Sequence, residues 1–128
     1  MVIVAGVVAL VLFAGLVVFQ VALAAGAPWG RAAYGGAHPG ELPASYRVAS
    51  ALAAVVWTGL ALAIARRAGI PVWAPVPDAW LGVVAWVVLG LAVVSVVLNA
   101  ITRSRVERAI WLPVSLVLLL ATGLVALS

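Results

Sequence analysis

The chain of 128 residues contains no cysteine and no lysine, and all seven of its basic residues are arginine. Without cysteine, disulfide exchange and thiolate metal sites are excluded. Without lysine, Schiff-base chemistry is excluded, including covalently bound retinal. The one histidine, His38, has no second histidine or suitably spaced carboxylate near it. We therefore expect no metal and no cofactor.

Charge is also scarce, since 8% of the residues are charged while 68% are hydrophobic and the mean hydropathy is +1.35. A water-soluble domain of this size needs more polar surface. About 20 apolar residues are enough to cross a hydrocarbon core roughly 30 Å thick. Four runs meet this length: Val2–Ala25, Val48–Ala65, Ala79–Leu98 and Ala109–Leu127. The sequence predicts a multi-pass protein of the cell membrane.

Each apolar run must be a helix, because a single strand in lipid leaves its backbone unsatisfied. We predict an all-α fold, a four-transmembrane-helix bundle that forms one integral membrane domain over residues 1–128. Residues 21–27, VALAAGA, resemble a signal-peptide cleavage region. The start MVIVAG lacks a basic segment, so we expect the first helix to be retained.

The arginines predict an orientation. Five lie near the first and third connectors and two, Arg66 and Arg67, near the second connector. The positive-inside rule then places the first and third connectors in the cytoplasm and both termini outside. Arginines at helix ends suit lipid headgroups, so we expect membrane lipids, and no nucleic acid, as partners.

Residues 26–43 read GAPWGRAAYGGAHPGELP, with five glycines and three prolines between two apolar runs. Glycine lets a chain turn and approach helices closely, and proline removes N–H donors that would need partners. Irregular backbone at membrane depth requires a covering of protein or a water-lined cavity. The composition predicts that this segment, the cap, is a folded cover or a re-entrant connector between helices one and two.

Polar residues inside the spans recur at helical spacing. They form stripes on helix three (Ser95, Asn99, Thr102), helix two (Arg47, Ser50, Ala54, Thr58) and helix four (Glu107, Trp111, Ser115, Thr122). Because polar groups in lipid face the bundle interior, these stripes predict a shallow polar cavity under the cap. The predicted ligand-binding residues are Gln20, Trp29, Arg31, His38, Glu41, Arg47, Asn99, Arg103, Glu107 and Arg108. The arginines among them favour an anionic headgroup.

Several of these residues also have plainer roles. Ser104 and Glu107 fit the S-x-x-E capping box at the start of helix four. Asn99 suits a helix C-terminus, and Arg103 and Arg108 suit headgroup anchors.

The sequence leaves the roles of three aromatic residues open. His38 suits a solvated turn better than proton transfer. Trp57 and Trp86 lie in mid-span, away from the interfacial belt, where they serve as packing and lipid contacts or as the aromatic wall of a ligand site.

Two segments, PWGRAAYGGAHPGELPASYRVAS and NAITRSRVERAIWLPV, resemble a family of small uncharacterised four-span membrane proteins typical of high-GC actinobacteria. They cover about a third of the chain. The resemblance implies four spans in a bacterial membrane. It does not supply an activity. Small multidrug transporters, quinone-linked disulfide oxidases and fluoride channels fit poorly, because a membrane-embedded glutamate in helix one, cysteines and the fluoride-channel signature are missing.

The first functional hypothesis is a protein that binds a lipid-like or isoprenoid amphiphile under the cap, either alone or as an accessory subunit beside other membrane subunits. The second is a membrane-embedded isomerase or cyclase of an apolar substrate that uses Glu41, Glu107 or His38 as acid and base. The third is a small transporter or channel that acts as a homo-oligomer. The half of the bundle away from the cap is almost wholly apolar, which disfavours a continuous polar path.

Overall fold

Four long helices form the molecule in the computed structural model, which describes all residues from Met1 to Ser128. They are α1 (Val2–Ala24), α2 (Ala44–Arg67), α3 (Leu81–Ile101) and α4 (Arg105–Ala126). Each is long and apolar enough to cross a membrane. At 1.5 Å per residue, helices of this length span roughly 30 to 36 Å. The predicted all-α bundle of four helices is confirmed.

The helix bounds differ from the apolar runs by up to four residues. α2 begins at Ala44, directly after Pro43, instead of at Val48. α4 begins at Arg105, because the Ser104 hydroxyl accepts a hydrogen bond from the Glu107 N–H and so starts the helix earlier. Hydropathy marks the part of a helix that lies in hydrocarbon. The polar first turns beyond it are helical too.

The second connector contains a short 3₁₀ turn, Asp78–Trp80, immediately before α3. α3 therefore begins at Leu81 instead of Ala79, and it continues through Asn99 to Ile101. Asn99 lies inside the helix, and Thr102 is its C-terminal capping residue.

The helices are arranged in a ring in chain order. α1 packs most extensively on α2, and α3 on α4, while α1–α4 and α2–α3 contacts complete the ring. The α2–α3 contact is the least extensive of the four. This unevenness leaves one seam of the bundle less tightly packed than the others.

The apolar core fills the half of the bundle near the termini and the second connector. Small side chains dominate it, and Phe13, Ile64, Val88 and Val125 are its large, almost fully buried members. The small members are Ala5, Ala9, Ala61, Ala68, Ala85, Ala121 and Ala126. Small residues allow helices in lipid to approach closely, so this half closes tightly.

Two arginines bind the second connector and the last residue of the chain at the end of the bundle that contains the apolar core. Arg66 donates to both carboxylate oxygens of Asp78, at 2.6 and 3.2 Å, and to the Val72 carbonyl at 2.9 Å. Arg67 donates to the Ser128 carbonyl at 2.6 Å. Exposed pairs of this kind contribute little stability, so we assign them to the positioning of the connector.

We predict that Gly6→Ala destabilises the protein, whereas Gly15→Ala on the same helix does not. A Cβ at Gly6 would overlap the Cβ of Ala68, while a Cβ at Gly15 meets nothing within 4 Å. Overpacking of this kind costs about 1–3 kcal/mol. Thermal unfolding in detergent measures the difference. Equal melting temperatures for the two variants would contradict the close packing of α1 against the second connector.

Candidate functional site

The cap folds on itself before it contacts the helices. It contains two 3₁₀ turns, Gly30–Ala32 and Tyr34–Gly36. The Gly30 N–H donates to the Gly40 carbonyl at 2.9 Å, which closes the segment between them into a loop. A Cβ at Gly30 would overlap the His38 carbonyl oxygen. Only glycine therefore allows this closure.

The second turn reverses the chain through three consecutive residues in the left-handed region. The φ angles are 49° at Tyr34, 70° at Gly35 and 73° at Gly36. A left-handed conformation at a residue with a side chain costs roughly 1–2 kcal/mol. Tyr34 offsets this cost with a hydrogen bond between its hydroxyl and the buried Ser50 hydroxyl at 3.0 Å, and with an edge contact to Tyr46.

Three hydrogen bonds attach the cap to α4 and its start. The Gly35 N–H donates to Glu107 Oε2 at 3.0 Å, and Trp111 Nε1 donates to the Ala32 carbonyl at 2.8 Å. The Ser104 hydroxyl donates to the Arg31 carbonyl. Backbone groups of the cap thus find partners on α4, as irregular backbone close to lipid requires.

The opposite side of the cap rests on α1 and α2. Leu23, Ala33 and Leu42 are buried together, with Phe19 and Tyr46 packed against them. This small apolar cluster joins the end of α1, the cap and the start of α2.

Arg47 on α2 strengthens the same side of the cap. It donates to Glu41 Oε1 at 3.0 Å and to the Ala24 carbonyl at 3.1 Å. The cap is therefore held against three helices, α1, α2 and α4.

A cavity of about 220 Å³ lies beneath the cap, between it and the packed core. We call it the inner cavity. Its roof is formed by Ala32, Ala33 and Tyr34, and most of its wall is apolar. The apolar wall residues are Phe13, Leu16, Phe19, Trp57, Val88, Ala92, Trp111, Val114 and Leu118. The predicted cavity under the cap is present, but its wall is mostly apolar, where the sequence predicted a polar one.

Polar side chains cluster at the end of the inner cavity nearest the cap. Gln20, Asn99 and Glu107 line it, together with Ser95 and Ser115. The Ser115 hydroxyl donates to a carbonyl of its own helix. Ser115 thus follows the usual behaviour of serine in a membrane helix.

Three side-chain oxygens in this polar group receive no hydrogen bond from the protein. Gln20 Oε1 is buried and has no partner. Asn99 donates through Nδ2 to the Trp111 carbonyl at 3.4 Å, and its Oδ1 accepts nothing. Glu107 accepts the Gly35 N–H on Oε2 alone. The inner cavity is thus rich in free acceptors, and Glu107 is its only charged lining residue.

Three of the ten predicted site residues, Gln20, Asn99 and Glu107, line the inner cavity. The arginines do not. Arg31 and Arg103 lie in a separate pocket on the outer face of the cap.

Arg47 and Arg108 make protein contacts instead. Arg47 pairs with Glu41, whose side chain is 60% exposed. Arg108 donates to the Thr102 carbonyl at 3.3 Å, at the end of α3. Arg108 thereby satisfies a carbonyl at the C-terminal end of α3, a role that the sequence did not predict for it.

The two remaining predicted residues are aromatic and lie outside the inner cavity. Trp29 is about half exposed and stacks on Phe19, with ring centroids 6.1 Å apart. His38 packs on Tyr46 at 4.8 Å. Both side chains support the cap.

The polar stripe on α2 faces away from the inner cavity, contrary to the expectation that all the stripes face one another. Arg47 and Ser50 bind the α1 end and the cap, because α2 packs on α1 at this level. Thr58 is exposed and donates to its own helix at Ala54. α2 contributes only Trp57 to the cavity wall.

Glu107 performs only half of the predicted capping box. Its N–H donates to the Ser104 hydroxyl, but its carboxylate binds Gly35. The Ser104 N–H donates instead to the Thr102 hydroxyl, at 3.3 Å. The carboxylate is therefore available to the cap and the cavity.

The sequence left Trp57 undecided between packing and the wall of a ligand site, and it did not predict a role for Tyr34. The two mid-span tryptophans differ in the structure: Trp57 lines the cavity and stacks on Phe13 at 5.4 Å, whereas Trp86 is 53% exposed. Trp57 and Phe13 come from different helices, so no spacing within one helix could reveal the pair. The position of Tyr34 at the centre of a glycine-rich segment was the signal that could have identified it.

We predict that Glu107→Leu loosens the cap, whereas Glu107→Gln retains most of its attachment, because only glutamine keeps an acceptor for the Gly35 N–H. A hydrogen bond to a charged group contributes about 1.5–3 kcal/mol, so amide exchange at Gly35 should accelerate roughly 10- to 100-fold in Glu107→Leu. Hydrogen exchange followed by mass spectrometry of cap peptides measures this. Unchanged exchange in Glu107→Leu would show that the other contacts alone hold the cap.

Comparisons with protein-family models, curated proteins and solved structures found no match to this chain. The resemblance to an actinobacterial family stays a prediction. A functional proposal for this multi-pass protein rests on the geometry of the cap and the inner cavity.

Proposed function

We propose that the protein binds an amphiphile, a lipid-like or isoprenoid molecule, in the inner cavity beneath the cap. Its polar head contacts Gln20, Asn99 and Glu107, and its first apolar carbons contact the aromatic wall. The observation that carries the proposal is the buried, unpartnered Oε1 of Gln20, a residue that lines a mostly apolar cavity. A buried acceptor without a donor costs about 1–3 kcal/mol, and a ligand that supplies the donor recovers that energy.

The free groups of the cavity favour a ligand that donates hydrogen bonds. Oxygens of Gln20, Asn99 and Glu107 are without a protein donor, and no arginine lines the cavity. A phosphate or carboxylate head would meet the Glu107 carboxylate with no cation beside it. We therefore propose a hydroxyl or amine head in place of the anionic headgroup that the sequence favoured.

The size of the cavity limits how much of the ligand it holds. A dry cavity of about 150 Å³ accommodates benzene, and drug-sized sites occupy about 300–1,000 Å³. The inner cavity, at about 220 Å³, is between these sizes. It holds the head and the first few carbons, so the rest of a long chain extends between helices into the lipid.

The seam between α2 and α3 is the proposed exit for that chain. α2 and α3 have the least extensive contact of the neighbouring helices. Their apolar cluster of Ala63, Ala74 and Leu81 lies near the second connector. At the level of the cavity, α2 supplies only Trp57 to the wall.

The two other functional hypotheses receive less support. For an isomerase or cyclase, Glu107 is the only one of the three predicted acid–base residues that lines the cavity. Glu41 is paired with Arg47 and His38 packs on Tyr46, both outside it. A transporter needs a path past the core, which Phe13, Ile64 and Val125 fill toward the termini.

The proposed orientation places the cap in the cytoplasm and both termini outside. Five of the seven arginines lie on the side of the cap, and only Arg66 and Arg67 on the other. This excess of basic residues supports the orientation through the positive-inside rule.

The proposal predicts that a defined amphiphile copurifies with the protein and is lost from Gln20→Leu and Asn99→Leu. Both changes remove the acceptor oxygens and retain side chains of similar size. Loss of one hydrogen bond to a buried head weakens binding roughly 5- to 100-fold. Native mass spectrometry of protein extracted in mild detergent would count the bound molecules and give their masses.

The mid-span tryptophans supply a matched control. Trp57→Ala removes a wall of the cavity, and Trp86→Ala makes the same change on the exposed surface. We expect the amphiphile to be lost in Trp57→Ala and kept in Trp86→Ala. Only bulk lipid on the unmodified protein, or equal retention in both tryptophan variants, would overturn the proposed function.

A further inference from the structure

A second pocket, of about 460 Å³, lies on the outer face of the cap, between it and the third connector. We call it the arginine pocket. Arg31 borders it from the cap, and Arg103 and Arg105 border it from the third connector and the start of α4. Its other lining residues are Gly35, Gly36, Ala37, Ser104 and Val106. It contains no acidic residue.

The three guanidinium groups have no partner within the protein. Arg31, Arg103 and Arg105 form no salt bridge, and their side chains donate no hydrogen bond to another residue. The three carboxylates of the chain lie elsewhere. Glu41 pairs with Arg47, Asp78 pairs with Arg66, and Glu107 binds the Gly35 N–H. Most of the net charge of +4 is therefore concentrated at this pocket.

The two sides of the pocket are joined at its floor. The Ser104 hydroxyl donates to the Arg31 carbonyl, which ties the cap to the third connector. Gly36 lies so close that a Cβ there would be 2.8 Å from the Ser104 Cβ. The backbone that carries the three arginines is thus fixed by the fold, which reduces the ordering that binding would require.

The pocket lies at the level along the helices where lipid headgroups are expected. α3 ends at Ile101 and α4 begins at Arg105, so the pocket lies at the ends of two membrane helices. Arginine presents a planar fork that binds two oxygens of a phosphate, and it is weakly hydrated compared with lysine. Phosphate groups of lipids lie at this level.

We propose that the arginine pocket binds the phosphate of an anionic lipid headgroup. The site is independent of the inner cavity. The Gly35–Glu107 hydrogen bond and the close contact of Gly36 with Ser104 stand between the two. The sequence predicted an anionic partner from its arginines, and this proposal assigns that partner to the outer face of the cap.

Lipid binding in detergent tests the proposal. Purified protein is titrated with dioleoylphosphatidylglycerol, dioleoylphosphatidic acid or dioleoylphosphatidylcholine, and bound lipid is counted by native mass spectrometry. We expect the two anionic lipids to bind more tightly than the zwitterionic lipid. Since each arginine near a membrane surface changes binding roughly fivefold, Arg103→Gln with Arg105→Gln should weaken anionic-lipid binding about 30-fold.

Arg66→Gln with Arg67→Gln is the matched control, because it removes the same two charges at the opposite end of the bundle. It should keep the preference for anionic lipid. Arg31→Gln alone tests the cap side and should weaken binding about fivefold. The melting temperature of each variant, measured in the same detergent, separates loss of binding from loss of fold.

Competition with inorganic phosphate identifies the source of the bound group. If millimolar phosphate leaves the lipid bound, the pocket recognises the phosphate together with its membrane anchor. If phosphate displaces the lipid, the pocket recognises the phosphate itself, and a soluble phosphate compound becomes the alternative occupant. Equal affinity for all three lipids, or equal losses in the Arg103/Arg105 and Arg66/Arg67 variants, would overturn the proposal. Neither result depends on the amphiphile in the inner cavity.

Discussion

The hydrogen bond between the Glu107 carboxylate and the Gly35 N–H links the cap, the inner cavity and the arginine pocket. Glu107 is 8% exposed, on the first turn of α4, and Gly35 is in the left-handed turn of the cap. A carboxylate in such a place is costly unless a donor satisfies it. The bond satisfies one of its two oxygens, holds the turn against α4, and places a backbone group between the inner cavity and the arginine pocket.

The two faces of the cap differ in the charged and polar groups that they present. On its inner side, acceptor oxygens of Gln20 and Asn99 face an apolar wall, and no cation is present. On its outer side, three arginines stand without a carboxylate. Hydrogen-bond acceptors and cations thus lie on opposite faces of one connector and the adjoining helix ends, in a chain with few polar residues. The two proposals follow this difference, with a hydroxyl or amine head on the inner side and a phosphate on the outer side.

The four helices were predicted from the length of the apolar runs. The stripes that carry Asn99 and Glu107 were predicted from their helical spacing, because polar groups of a membrane helix face the bundle interior. The fold of the cap could not be predicted in this way. Its shape depends on backbone bonds such as that from Gly30 to Gly40, which leave no repeating pattern of side chains. Arginine partners also depend on that shape, so Arg31 and Arg47 could not be separated in advance.

The close approaches within the cap have a consequence for how this protein would vary in evolution. Apolar residues in the spans can exchange for others of similar volume with small effects. Positions 30 and 36 cannot, because any side chain there would meet the His38 carbonyl or Ser104. Homologues should therefore preserve a sparse signature of two glycines, with a serine at position 104 and an acidic residue three positions later. That signature would identify distant relatives better than the long apolar segments that make up most of the chain.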